Sequence, residues 1–180
     1  MTNLAFVSAI LGMAISLSAL TNLLVKNHDK LNPKSLSELA AAEDKLLRQF
    51  RVGLFICGSL FAISMYFLVL PRMDEPIPLL TVYSISYLSI LLAALLPARS
   101  TTLKFHIFAG RIMGISMLML SYLFAYGVHG VFGRIEILLA IFMTSLAAVT
   151  YMDKKHFAYY EIAYLGLNHL TIVIACISLL

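Results

Sequence analysis

The chain has 180 residues, of which 61% are hydrophobic and 12% are charged, and its mean hydropathy is +0.93. Because a soluble domain usually carries about a quarter charged residues, this chain has too little polar surface to coat a water-soluble particle. The composition excludes a soluble enzyme, a disordered tail and a disulfide scaffold, and it leaves a polytopic membrane protein. The formal charge of +4 does not indicate a nucleic-acid partner, since no basic face with interleaved aromatic residues occurs.

Six apolar blocks follow one another along the chain, each close to the roughly 20 residues that a helix needs to cross a bilayer. The apolar runs are continuous rather than alternating, which speaks against a β-barrel. Pro71, Pro76 and Pro97 separate neighbouring blocks. We therefore predict an all-α polytopic membrane protein, a six-helix transmembrane bundle forming one domain over residues 1–180. The predicted spans cover residues 4–25, 52–70, 77–96, 107–128, 135–152 and 157–180.

The connection between the first two blocks is the only long one. Ser35 and Glu38 have the spacing of a capping box, which marks the beginning of a helix. Apolar and charged residues then share the segment up to Phe50. This pattern predicts a cytoplasmic amphipathic helix over about 35–51, either a plain connector or an element on which a partner docks.

The basic residues gather in alternate connections, which predicts the orientation in the membrane. Those of the first, third and fifth connections are Lys26, Lys30, Lys34, Lys45, Arg48, Arg51, Arg99, Lys104, Lys154 and Lys155. The second and fourth connections hold only Arg72 and Arg134. We expect the basic connections to be cytoplasmic and both termini to lie outside, in a bacterial inner membrane or a plasma membrane.

The last block carries a polar stripe that we expect to face the interior of the bundle, because polar groups in lipid turn towards protein or water. Its members step by three and four residues: Glu161, Tyr164, Asn168, Thr171, Ala175 and Ser178. His169 lies about 12 residues past the start of this helix, near the bilayer midplane. Glu161, Asn168 and His169 predict a polar pocket or a proton-handling site. The alternative is a set of hydrogen bonds that hold helices together.

The fourth block opens with further polar and small residues. Gly110 and Gly114 have the small-xxx-small spacing that lets another helix approach closely. Arg111 lies at a depth similar to Glu161, so the two charges form an ion pair unless Arg111 extends to the headgroups. The candidate ligand-binding set therefore has six members: Glu161, Asn168, His169, Arg111, His106 and Tyr164. The sequence identifies no catalytic residue.

Glu136, near the outer end of the fifth block, is a further charge within a span, and the small residues that follow it on one face favour close helix packing. The histidines do not favour haem, because His106 and His169 are separated by about 18 Å along helices of the same direction. A cytoplasmic metal site of His28, His106 and His156 rests on loop placement alone. No HExxH, CxxC, GxSxG or phosphate-loop motif occurs, so we assign no metal and leave the cofactor open.

Three short segments carry a resemblance to a known group: Leu36-Ser37-Glu38-Leu39, Leu96-Pro97 and His106. With six spans and a longer first connection, the chain resembles the bacterial uncharacterised relatives of the Frag/DRAM membrane proteins. The resemblance implies at most a lipid-related role. It also implies an outer position for the first connection, whereas the basic residues predict a cytoplasmic one.

The function that we expect is a small integral membrane protein that binds a lipid or other small ligand in a polar pocket of the bundle. Two alternatives remain: a membrane oxidoreductase or lipid-modifying enzyme, and a proton- or ion-coupled transporter or channel subunit. The expected partners are the lipid bilayer and the lipid or small-molecule ligand, without nucleic acid. A homo-oligomer stays open.

Overall fold

The structure, a computed structural model, describes residues 2–26, 35–96, 98, 101–153 and 156–180. This part of the chain is all-α and contains no strand. Its helices are α1 (Thr2–Lys26), α2 (Leu36–Ala41), α3 (Asp44–Ser64), α4 (Pro76–Leu95), α5 (Leu103–Gly127), α6 (Gly130–Met152) and α7 (Phe157–Ser178). The α3 helix continues without a break through a π-helical stretch, Met65–Val69, and a 3-10 turn, Leu70–Arg72.

All helices except α2 are long and apolar enough to cross a membrane, which confirms the predicted six-helix bundle. Large apolar side chains cover its outer surface; Ile115 is 63% exposed and Phe142 is 61% exposed. Such a surface suits lipid, because contiguous apolar area of this kind is avoided in water. The chain is therefore a membrane-embedded protein. The second span begins at Asp44 rather than near residue 52, and the other boundaries move by a few residues.

The long helices pack in chain order, and α7 closes the bundle by packing against α1. Small residues on one face of α1, including Ala5, Ala9 and Gly12, are buried. The Ser64 hydroxyl of α3 donates a 2.7 Å hydrogen bond to the Ala5 carbonyl, which fixes α3 along α1. Packing between α3 and α4 is much less extensive than between α1 and α3 or between α4 and α5. Space is therefore left inside the bundle beside α3 and α4.

The prediction of one amphipathic helix over 35–51 is wrong. The capping box is present, since the Glu38 amide donates to Ser35 Oγ at 3.2 Å and the Ser35 amide donates to Glu38 Oε2 at 2.8 Å. However, α2 ends at Ala41, and Glu43 has extended backbone angles before α3 begins. The break lets α2 turn its apolar face onto the end of the bundle, where Leu36 is 0% exposed and Leu39 is 1% exposed. Burial of these side chains overrides the continuous amphipathic pattern.

Several basic residues used to predict the orientation lie outside the described residues: Lys30, Lys34, Arg99, Lys154 and Lys155. The orientation therefore stays a prediction. Pro97, which marks the end of the third block, lies outside the described residues as well. The α2 helix lies at the same end of the bundle as the end of α4 and the beginnings of α5 and α7. We call this end of the bundle the α2 end.

Candidate ligand-binding site

A cavity with a volume of about 80 Å³ lies among α3, α4, α5 and α7, and α2 borders it at one end. Most of its wall is apolar, with Leu54 and Phe61 from α3, Ile90 from α4, Met113 from α5 and Leu165 from α7. Polar side chains occur at two levels of this wall, one at the α2 end and one deeper in the bundle.

At the α2 end, the His106 imidazole is held between two elements. Its Nδ1 lies 2.6 Å from the Leu96 carbonyl oxygen, and its Nε2 lies 2.7 Å from the Ser37 hydroxyl. Because a carbonyl oxygen only accepts, Nδ1 carries the proton in the neutral ring and Nε2 accepts from Ser37. His106 thereby joins α2 to the end of α4.

Glu161 joins α2 to α7 at the same end of the bundle. Its Oε2 accepts a 2.8 Å hydrogen bond from the Leu36 amide, the first residue of α2. The first amides of a helix have no acceptor within the helix, so the Glu161 carboxylate satisfies a donor that would otherwise be left unpaired. The position of α2 thus depends on side chains of α5 and α7.

Deeper in the bundle, three buried polar atoms of the cavity wall have no hydrogen-bond partner among the described residues. They are the Tyr83 hydroxyl, Asn168 Oδ1 and His169 Nδ1. The His169 ring stacks on Phe61 with 4.9 Å between centroids, and its Nε2 lies 4.0 Å from Cys57 Sγ. Since His169 follows Glu161 by eight residues on one helix, the two polar levels are about 12 Å apart along α7.

The structure brings four of the six candidate residues to this cavity: Glu161, Asn168, His169 and His106. Tyr164 is not part of the wall; its hydroxyl donates to the Gly114 carbonyl at 2.6 Å and so links α7 to α5. Along the predicted polar stripe, Asn168 is buried as expected.

The predicted ion pair between Arg111 and Glu161 is wrong. Arg111 is exposed on the outside of α5, and it forms no ion pair with Glu161 within the described part of the chain. The Glu161 oxygen bonds the Leu36 amide instead. A long arginine side chain near a helix end reaches the polar boundary of the membrane without a partner in the bundle, which removes the need for an ion pair.

The prediction that Gly110 and Gly114 let another helix approach closely is wrong as well. A Cβ placed on either residue would meet no other atom within 4 Å. At Gly110 this free space belongs to the cavity, which that residue lines. Gly110 thus contributes room for an occupant rather than a helix contact.

The proposed metal cluster is not formed by its described members. His106 uses both ring nitrogens in the bonds to Leu96 and Ser37, and His156 Nδ1 lies 2.8 Å from Asp153 Oδ2. His28 lies outside the described residues. Over residues 2–26, 35–96, 98, 101–153 and 156–180, no three His, Cys, Asp or Glu side chains lie close enough together to hold a metal.

Sequence reasoning missed Ser37 and Tyr83 as parts of the site. Ser37 is recognisable only as a residue beside a helix cap, and its approach to His106 joins positions 69 residues apart. Tyr83 stands among serine and threonine residues of the third block, whose hydroxyls usually bond their own helix. Nothing in either local pattern indicates a shared cavity.

One residue from each of the three segments that carry the family resemblance lies at the α2 end, since Ser37, Leu96 and His106 are joined by hydrogen bonds. Comparison of the chain with protein-family models, with curated proteins and with solved structures finds no match. The resemblance stays a prediction, and the geometry of the cavity is the basis for a functional proposal.

Proposed function

We propose that this chain is a small integral membrane protein that binds a lipid or other small amphipathic ligand in the cavity between α3, α4, α5 and α7. The observation that carries the proposal is the set of unpaired polar atoms on Tyr83, Asn168 and His169. A buried polar atom without a partner costs about 1–3 kcal/mol. An occupant that supplies oxygen or nitrogen atoms at this level removes that cost.

The wall of the cavity supports an occupant with an apolar part. Ligand sites are typically apolar with a few polar groups that fix orientation, and this wall has that composition. Asn168 Oδ1 requires a donor, whereas the Tyr83 hydroxyl both donates and accepts. A ligand with an apolar body against this wall and a hydroxyl or amide at the level of His169 matches these requirements.

Access from the bilayer between α3 and α4 agrees with a ligand that comes from the lipid. Leu54 on α3 and Ile90 on α4 line the cavity and are only half-buried. The limited packing between these two helices favours entry from this side by a molecule already dissolved in lipid. With the basic first connection placed in the cytoplasm, the α2 end is the cytoplasmic end of a bacterial inner or plasma membrane protein with both termini outside.

The test uses two glycines one helical turn apart on α5. Gly110→Leu places a side chain in the cavity, whereas Gly114→Leu makes the same substitution where a Cβ meets no atom and no cavity wall is altered. Native mass spectrometry of the protein, gently extracted from membranes, measures the retained ligand. We expect a retained lipid or small molecule in the parent and in Gly114→Leu, reduced at least tenfold in Gly110→Leu.

A second pair of variants tests the deeper polar level. Asn168→Leu removes the polar atoms that face the cavity, and Thr171→Val is its control, because Thr171 is buried on the same helix but bonds its own backbone at Asn168. Ligand retention should fall only in Asn168→Leu. Equal retention in all variants would mean that the lipid is bound on the outer surface, and the proposal would be wrong. Bound haem, or an empty multimer, would overturn it in favour of an oxidoreductase or a channel-like assembly.

A further inference from the structure

We propose that Ser37 and His106 form the nucleophile and general base of an acyl-transfer site that cleaves an ester bond of a lipid. This inference rests on the proposed function, because the lipid is the ligand held in the cavity. Its basis is the geometry at the α2 end, where both side chains line the cavity and lie within hydrogen-bond distance of each other.

The Ser37 and His106 side chains have the arrangement of an activated serine. Ser37 Oγ lies 2.7 Å from His106 Nε2, within the range at which an imidazole takes a proton from a hydroxyl. The Leu96 carbonyl, 2.6 Å from Nδ1, fixes the ring so that the Nε2 lone pair faces Ser37. A carboxylate has this orienting role in many serine hydrolases, and here a backbone oxygen occupies the position.

The depth of the pair suits the ester of a membrane lipid. His106 is the fourth residue of α5, so it lies about 5 Å from the beginning of that helix, close to the boundary between headgroups and hydrocarbon. The apolar wall extends deeper from this point along Phe61 and Leu165. A lipid with its chain against that wall presents its ester carbonyl to Ser37.

The reaction balances without any further reagent than water. Ser37 Oγ forms a bond to the ester carbonyl carbon while its proton passes to His106 Nε2. The bond between that carbon and the alcohol oxygen then breaks, and the alcohol leaves with the proton from His106. A water molecule next gives a proton to His106 and attacks the acyl group, Ser37 regains its proton, and a carboxylic acid is released.

A purely structural role for the Ser37–His106 bond, holding α2 in place, makes a different prediction. A serine whose bond only stabilises packing does not react with an electrophile, whereas an activated serine forms a covalent adduct. The full-length protein in lipid nanodiscs is therefore treated with an alkyl fluorophosphonate, whose phosphorus captures activated serine hydroxyls with loss of fluoride. Intact mass followed by peptide mapping identifies the labelled residue in the unaltered protein, so the result does not depend on a variant that folds.

We expect one adduct per chain, on Ser37, and none in Ser37→Ala. His106→Gln should slow the labelling at least about 100-fold, the usual contribution of a general base. Ser145→Ala is the matched serine control, since Ser145 is exposed on α6 and bonds its own helix at Ile141. Leu39→Ala controls for loosening of α2, because it removes buried contacts of α2 without altering either side chain of the pair. Both controls should label within a few-fold of the parent rate.

The absence of an adduct on Ser37, or equal loss of labelling in His106→Gln and Leu39→Ala, would overturn the assignment. The two proposals fail separately. A retained lipid without labelling of Ser37 contradicts acyl transfer alone, and labelling of Ser37 in a protein that retains no lipid contradicts ligand binding in the cavity.

Discussion

The Leu36 amide and the Glu161 carboxylate, 125 residues apart in the chain, are joined by a 2.8 Å hydrogen bond. This bond places the beginning of α2 against α7, and the next residue, Ser37, is thereby held against His106 of α5. The short α2 helix thus connects the segment between the first two spans to the wall of the cavity.

Removal of the Glu161 acceptor should release α2. In Glu161→Leu the Leu36 amide loses its partner. We therefore expect the free energy of unfolding to fall by about 1–3 kcal/mol and the amides of Leu36–Ala41 to exchange their hydrogens faster. Glu161→Gln keeps an oxygen acceptor and should exchange at an intermediate rate. Hydrogen-exchange mass spectrometry measures both, with the exposed Glu43→Gln as control. Unchanged exchange of α2 in Glu161→Leu would show that its buried apolar face alone holds it.

Charge reversal at Arg111 and Glu161 should give additive effects. Arg111 is exposed and Glu161 bonds Leu36, so the two residues do not interact. The double variant Arg111→Glu with Glu161→Arg should therefore lower the free energy of unfolding by the sum of the two single effects, within about 0.5 kcal/mol. Thermal unfolding in detergent measures the cycle. Ser37→Ala combined with His106→Gln, whose parent side chains are in contact, is the positive control and should show coupling. If the double reversal restored the stability lost in the single variants, the two residues would form an ion pair after all.

Replacement of Glu136 by an apolar residue should stabilise the bundle. Its side chain is 0% exposed, and neither carboxylate oxygen has a hydrogen-bond partner within the described part of the chain. A buried polar group without a partner is costly, so Glu136→Met, of similar volume, is expected to raise the unfolding temperature. The matched change at an exposed acid, Glu43→Met, should leave that temperature nearly unchanged. A lower unfolding temperature for Glu136→Met would indicate a partner such as a bound cation.

Gly133 should tolerate no side chain. A Cβ at this position would overlap the Val128 carbonyl oxygen, and a backbone atom moves aside less readily than the end of a flexible side chain. Gly133→Ala is therefore expected to lose about 1–3 kcal/mol, as overpacked sites do. At Gly114 a Cβ meets no atom within 4 Å, so Gly114→Ala should be neutral or slightly stabilising. Fluorescence-detected thermal unfolding in detergent compares the two, and equal melting temperatures would contradict the expected overlap at Gly133.

The sequence predicted the elements well where a pattern acts over many residues. The six apolar blocks became the six long helices, and the spacing of Ser35 and Glu38 became a capping box. The amphipathic pattern over 35–51 misled, because it does not show that α2 ends at Ala41 to bury Leu36 and Leu39. A local pattern reports which side of a helix is apolar, but not where the helix must break to pack.

For the candidate site, too, the sequence placed some residues correctly and others wrongly. Asn168 was predicted from a polar stripe in an apolar helix, and His169 from its depth in the same helix, because lipid leaves such side chains only the interior of the bundle. Arg111 has the same signal in the sequence, yet it lies on the outside, since a long side chain near a helix end reaches the polar boundary by itself.

The sequence by itself determined that lipid rather than water surrounds most of the chain. With 12% charged residues in 180, only lipid can surround most of this surface, and the lengths of the apolar blocks follow from the thickness of a bilayer. Only the tertiary structure decided which polar groups meet. Ser37, Leu96 and His106 come within hydrogen-bond distance, and Tyr83, Asn168 and His169 line one cavity, because helix packing brings together residues whose separation along the chain carries no such information.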